Sequence, residues 1–139
     1  MSTRAIFAKS LADGTFIGGW QWNDGGNYTA SELNKKLSSE EAVDKLIALG
    51  QWNVIYTKRE LECHKKWCET NRNIDFTRVY TVTQIGKYYV LQDVRVATRP
   101  LPHTENYKSL EEMLEQDINF VYVFHPESKM WEKRHKTHA

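Results

Sequence analysis

From Phe76 to Ile85 the chain alternates apolar and polar residues, Gly86-Lys87 turns and Tyr88 to Thr98 returns, and no other stretch constrains the fold as tightly. Alternation with period two marks a strand with one face on a core, and a two-residue glycine step between two such runs closes them into a hairpin. Phe76 to Ile85 and Tyr88 to Thr98 therefore read as paired strands, with the Val, Ile, Thr and Tyr content that suits a pleated, half-buried surface. Arg4 to Lys9 and Thr15 to Asn23 flank Asp13-Gly14 in the same manner. In that second arm Phe16, Gly18, Trp20 and Trp22 fall on one face, and Asp24-Gly25-Gly26 ends it as a turn. Gln51 to Thr57, Asn119 to His125 and Met130 to Arg134 supply three more strands.

Helices enter at capping signals. Thr29-Ala-Ser-Glu32 and Ser38-Ser-Glu-Glu41 open two short helices in series; the second turns Val43, Leu46 and Ile47 inward and stops at Gly50. Lys58 to Asn71 places Leu61 and Cys68 on one stripe and charges elsewhere. Ser109-Leu-Glu-Glu112 opens a helix of about nine residues ending near Asp117, with Leu110, Met113 and Leu114 inward. Strands joined mostly as hairpins, with helices inserted in three places, predict one α+β domain over residues 1–139. Its expected form is a largely antiparallel sheet of six or seven strands with helices on one face and the other face partly free. The basic closing segment, about 133–139, is expected to fray.

Charge narrows the function. Nineteen Lys and Arg against eighteen Asp and Glu give +1, which argues against a chain built to neutralise phosphates in bulk or to dock on anionic lipid. No apolar run approaches the roughly twenty residues that span a bilayer. Two cysteines, Cys63 and Cys68, make no disulfide framework, and with no signal-peptide pattern the expected compartment is a reducing cytoplasm. Cys63-His64 and Cys68 do not make a zinc half-site either: on a helix the two thiols diverge by about 140° and no second cluster follows. Cys68 reads as a core residue, Cys63 and His64 as nearer the surface. Nothing matches a nucleophile elbow, a dinucleotide fingerprint or a phosphate loop, so neither a cofactor nor a metal is expected.

What stands out is aromatic: five Trp, seven Tyr and five Phe. Gly19-Trp-Gln-Trp-Asn-Asp-Gly-Gly26 combines two indoles, an amide pair and an acid at a turn, which suits a planar polar ligand such as a nucleobase. The same residues also suit a hairpin whose indoles fill the core and whose Asp24 closes an Asx turn. Residues 109 to 127 carry Glu111, Glu112, Glu115, Asp117 and Glu127 and no Lys or Arg. That is either a solvated face or a surface that competes with nucleic acid for a basic groove.

Met1-Ser-Thr-Arg-Ala-Ile6, Ala12-Asp-Gly14 with Gly18, Trp20-Gln-Trp-Asn-Asp-Gly25, and the helix end Leu46-Ile-Ala-Leu-Gly50 resemble a family of small proteins of phages, prophages and mobile elements. Asn119 to Phe124 with Trp131 resembles that family's closing hairpin. Trp22 stands where the family has a histidine, and Gly26-Asn27 replaces its Tyr-Pro. The resemblance implies a phage-type accessory protein more than an enzyme.

The reading that results is a binding protein that inhibits a host defence function. It would sequester a nucleotide-like ligand at Arg4, Trp20, Trp22, Asn23 and Asp24, or occlude a protein or nucleic-acid complex through Glu111, Glu112, Glu115 and Asp117. Two alternatives stay open. One is a small nucleotide hydrolase or nuclease using His103 or His125 with Asp24 or Asp93. The other is nucleic-acid binding through Lys35, Lys36, Lys58, Arg59, Lys65, Lys66 and the segment Lys133 to Lys136. Edge strands of an open sheet also favour a homodimer.

Overall fold

The computed structural model describes residues 4–22, 28–94 and 104–136. The elements run β1 (Ala5–Ser10), β2 (Phe16–Gln21), α1 (Ala30–Lys36), α2 (Glu40–Ala48), β3 (Gln51–Trp52), β4 (Val54–Tyr56), α3 (Lys58–Asn71), α4 (Phe76–Val79), β5 (Tyr80–Ile85), β6 (Tyr88–Asp93), β7 (Glu105–Tyr107), α5 (Leu110–Leu114), β8 (Phe120–His125) and β9 (Met130–His135). They form two sheets. The larger has the order β3-β2-β1-β8-β9, with β7 also on β2; the smaller has the order β4-β6-β5.

The fold is α+β as expected, but the large sheet is mixed rather than largely antiparallel. β1 runs antiparallel to β2 and parallel to β8, and β2 runs parallel to β3. The expectation of helices on one face is corrected as well. On one face Ala5, Phe7, Tyr122 and Phe124 meet α1, α2 and the inner face of the small sheet. On the other, Ile6, Ala8, Trp20, Val121 and Val123 meet Tyr107, Met113 of α5 and Ile118. The physical reason is that β1 and β8 lie centrally and are covered on both sides, and such strands read as continuous apolar runs.

Local signals place most elements. Gly14 (φ 87°) shapes the first hairpin, where the Asp13 carboxylate accepts from both the backbone N–H and the hydroxyl of Thr15. The Thr29 hydroxyl caps α1, and the α2 cap is Ser39, one residue later than the Ser38 box predicts. α3 carries a full capping box from Thr57 and Glu60, and it buries Cys68 while leaving Cys63 exposed.

Four predicted boundaries move. The strand expected over 51–57 splits at Asn53, where the chain leaves one sheet for the other: its N–H donates to Leu91 O (2.8 Å) and its Oδ1 accepts from Asp93 N–H (2.6 Å). The strand expected from Phe76 begins instead with the single turn α4, started by Asp75 Oδ1 accepting from Thr77 N–H. α5 has five residues rather than about nine. Lys133 to His135, expected to fray, pair with β8 in β9. The expected strand beyond residue 94 lies outside the described residues. Among those described, no helix is long and apolar enough to cross a membrane.

β2 can lie against both β1 and the end of α2 because it lacks side chains at two points. A Cβ on Gly18 would sit 2.9 Å from Phe7 O, and one on Gly19 only 2.3 Å from Gly50 O.

Outside the small sheet, α3 and α4 form a third cluster of Leu61, Cys68, Phe76 and Leu91. His64 sits at its margin, with Nδ1 3.0 Å from the Tyr56 hydroxyl and edge-on to Phe76 and Tyr80. Burial holds its pKa below the usual imidazole value of 6.5. Protonation is therefore easier in the unfolded chain, so stability is fully present above that ordinary value and is lost as pH falls through it toward the folded one. Urea midpoints should fall between neutral pH and pH about 5, and this slope should flatten in His64→Gln; an unchanged slope would count against the assignment.

Candidate ligand site beside Trp22

The β2 ladder continues one residue past the strand, where Trp22 N–H donates to Trp52 O (3.0 Å). Alternation then puts Trp20 and Trp22 on the same face, their rings 5.7 Å apart at 29°. They have different environments. Trp20 is 8% exposed, and its Nε1 donates to the Tyr107 hydroxyl (3.1 Å), which makes it a core residue. Trp22 is half-buried, and its Nε1 donates to Gln51 Oε1 (3.1 Å).

Arg4 completes the group. Its guanidinium lies over the Trp22 ring, 5.0 Å from the centroid, and pairs with Asp117 at 2.5 Å. The backbone fixes this approach, since Asn119 N–H donates to Arg4 O at the start of the β1–β8 pairing. Arg4, Trp20 and Trp22 of the predicted ligand group are thus brought together, and Asp117 of the predicted acidic surface joins them. Asp117 is 89% exposed, so the ion pair is a solvent-screened one worth at most about 1 kcal/mol, and an incoming anion can displace it. Glu111 stands exposed on α5 and Glu115 exposed at its C-cap, whereas Glu112 turns back to accept from Lys108 N–H (2.6 Å). Asn23 and Asp24 lie outside the described residues.

Two buried amide residues here are not legible as such in the sequence. The parallel register sets Gln51 beside Trp20 and Trp52 beside Gln21, so Gln51 shares the face of the indoles while Trp52 points to the opposite core; Asn53 follows at the break between the sheets, its Oδ1 on Asp93 N–H. Gln51 is 3% and Asn53 8% exposed. The amide nitrogens Gln51 Nε2 and Asn53 Nδ2 have no hydrogen-bond partner among the described residues. Gln21 Oε1 is likewise unpartnered, on the opposite face, where Gln21 Nε2 donates to Asn53 O. A buried donor left unpaired costs roughly 1–3 kcal/mol, so the Gln51 nitrogen is unmet hydrogen-bonding capacity beside the indoles. In the sequence, polar residues at alternate positions of a short strand read as solvent-facing.

The residues of the alternative readings are dispersed. His125 ends β8 and faces Glu132 (3.4 Å), while Asp93 ends β6 in the other sheet. His103 and Asp24 are outside the described residues. Lys36 lies over Tyr88 and Lys65 over Phe76, on different helices. Lys133 donates to Tyr28 O and lies over Phe120, and burial lowers its pKa.

A concavity of about 540 Å³ lies elsewhere, between α2 and the first hairpin, lined by Leu11, Ile17, Ile47 and Thr104. Its charges, Lys9 and Asp44, neutralise each other at 2.7 Å. No family model, curated protein or solved structure matches the chain.

Proposed function

We propose that this chain is a binding protein that sequesters a nucleotide-like small molecule against Trp22, with Gln51 as hydrogen-bond donor and Arg4 as the anion contact. The observation that carries the reading is the buried, unpartnered carboxamide N–H of Gln51 beside a half-buried indole. Directional donors next to an aromatic plane are what a nucleobase carbonyl or ring nitrogen requires, and a guanidinium held by an exposed carboxylate is free to exchange it for a phosphate. Trp20 supports Trp22 from the core. The resemblance of the first fifty residues to phage and mobile-element proteins suggests where such capture would serve: lowering the concentration of a signal used by a host defence system. Occlusion of a macromolecular partner is the weaker reading, because Asp117 and Glu112 of the acidic surface already have partners within the chain.

The test is native mass spectrometry of protein purified from a bacterial host with active defence systems. The expected result is a retained mass of a few hundred daltons that is released on denaturation and falls about tenfold or more in folded Trp22→Ala and Gln51→Met variants. A clean mass, or an adduct kept by both variants, overturns this reading.

A further inference from the structure

The concavity between α2 and the first hairpin lies on the opposite face of β2 from Trp22, so the proposed nucleotide site does not account for it. Its floor is Lys9 and Ile17, partners across the β1–β2 ladder, with Leu11 beyond them. Its wall is one ridge of α2 formed by Asp44, Ile47 and Ala48. A mostly apolar cavity of about 540 Å³ with a few polar groups is the usual form of a small-molecule site.

The polar groups are unevenly charged. Lys9, its side chain 13% exposed, donates to Asp44 Oδ1 at 2.7 Å and to Glu40 Oε1 at 3.2 Å, and the Asp44 hydrogen bond holds its pKa above the ordinary lysine value. Lys9 and Asp44 cancel, so Glu40 leaves one negative charge in surplus. Lys45 does not offset it, being paired with Glu41 at 3.5 Å. Among the described residues the second oxygen of each half-exposed carboxylate has no partner. The cavity also follows the C-terminal half of α2, the end of a helix whose dipole favours a cation.

We propose that this concavity is a second ligand site, one that takes a small organic ammonium, with its apolar body against Ile17 and Ile47 and its cationic nitrogen on the free oxygen of Asp44. The lining selects this class from both sides. Leu11, Ile17, Ile47 and Ala48 offer an apolar surface, so a purely polar cation gains little from entering. A carboxylate of the same shape meets a surplus charge of its own sign, and a neutral alcohol fills the walls but leaves that charge unanswered.

Heteronuclear NMR titration of the full chain at low salt tests the site with three probes that share one body: phenethylammonium, phenethyl alcohol and hydrocinnamate. Phenethylammonium should shift the Ile17, Asp44, Ile47 and Ala48 amides saturably and bind about threefold to fivefold tighter than the alcohol, the size of one half-exposed ion pair. Hydrocinnamate should leave those amides unmoved. Glu40→Gln removes the surplus charge, keeps the Lys9–Asp44 pair and should abolish the preference for amine over alcohol. Ala48→Trp, at an exposed helix position, fills the cavity and should abolish binding of both with unchanged circular dichroism; Glu40→Gln serves if that variant does not fold. Amides that none of the probes shifts, equal affinity for amine and alcohol, a preference that survives Glu40→Gln, or binding that persists in folded Ala48→Trp overturns the proposal. Because Trp22 lies on the other face, none of these outcomes bears on the nucleotide site.

Discussion

Gly19→Ala should lower stability by on the order of 3 kcal/mol, because the added methyl has no room and its neighbour cannot retreat. The new Cβ would stand 2.3 Å from Gly50 O, 3.0 Å from Gly50 C and 3.3 Å from its Cα. All three are backbone atoms. Gly50 is itself held in the left-handed region (φ 80°) that ends α2, and its carbonyl accepts the Trp20 N–H at 2.8 Å. Relief therefore requires breaking that hydrogen bond and with it the seating of β3 on β2, which also sets the position of Gln51. Urea unfolding followed by tryptophan fluorescence reads the loss; a change below about 1 kcal/mol would mean that β2 and the α2 terminus separate freely.

Trp52→Ala should cost about 4 kcal/mol, near the upper range for emptying an aromatic core position. The indole is 1% exposed and lies edge-on to Phe7 at 4.7 Å and to Tyr28 at 5.6 Å. It belongs to the large sheet by its backbone and to the inter-sheet core by its side chain, so its removal opens a cavity where the two sheets meet. Trp67→Ala is the matched control. That indole is 47% exposed on α3, and its loss should change stability by no more than about 0.5 kcal/mol. Equal effects from the two substitutions would contradict the assignment of Trp52 to the inter-sheet core.

The elements that sequence reasoning locates are those whose cause is local. The Asp13-Gly14 and Gly86 turns, the Thr29 and Ser109 caps and the Gly50 terminus all act within a few residues, and each is where the pattern puts it. The parallel pairings are not local. β1 meets β8 only because distant apolar strands fit on both faces, and the available signal was the unbroken apolar character of Ala5 to Ala8 and of Phe120 to Phe124. β7, three residues with one apolar tyrosine, carries no pattern long enough to read.

The candidate site divides in the same way. Trp20 and Trp22 stand out by composition and alternation, and Arg4 meets them because the start of β1 is tethered to Asn119. That Asp117 belongs beside Arg4 depends on the β1–β8 register, and the burial of Gln51 and Asn53 depends on the seam between the sheets. Neither is visible to a reading confined to neighbouring residues.

The position of β1 between β2 and β8 also bears on how the chain is made. The small sheet closes among residues 54–93 and can form while synthesis continues. The large sheet cannot close so early, because its central strand β1 waits for β8, far downstream in the chain. Until β8 leaves the ribosome, the nascent β1–β2 hairpin has one bare backbone edge and two apolar faces without their full cover. Sequence separation here sets the length of an aggregation-exposed interval during translation.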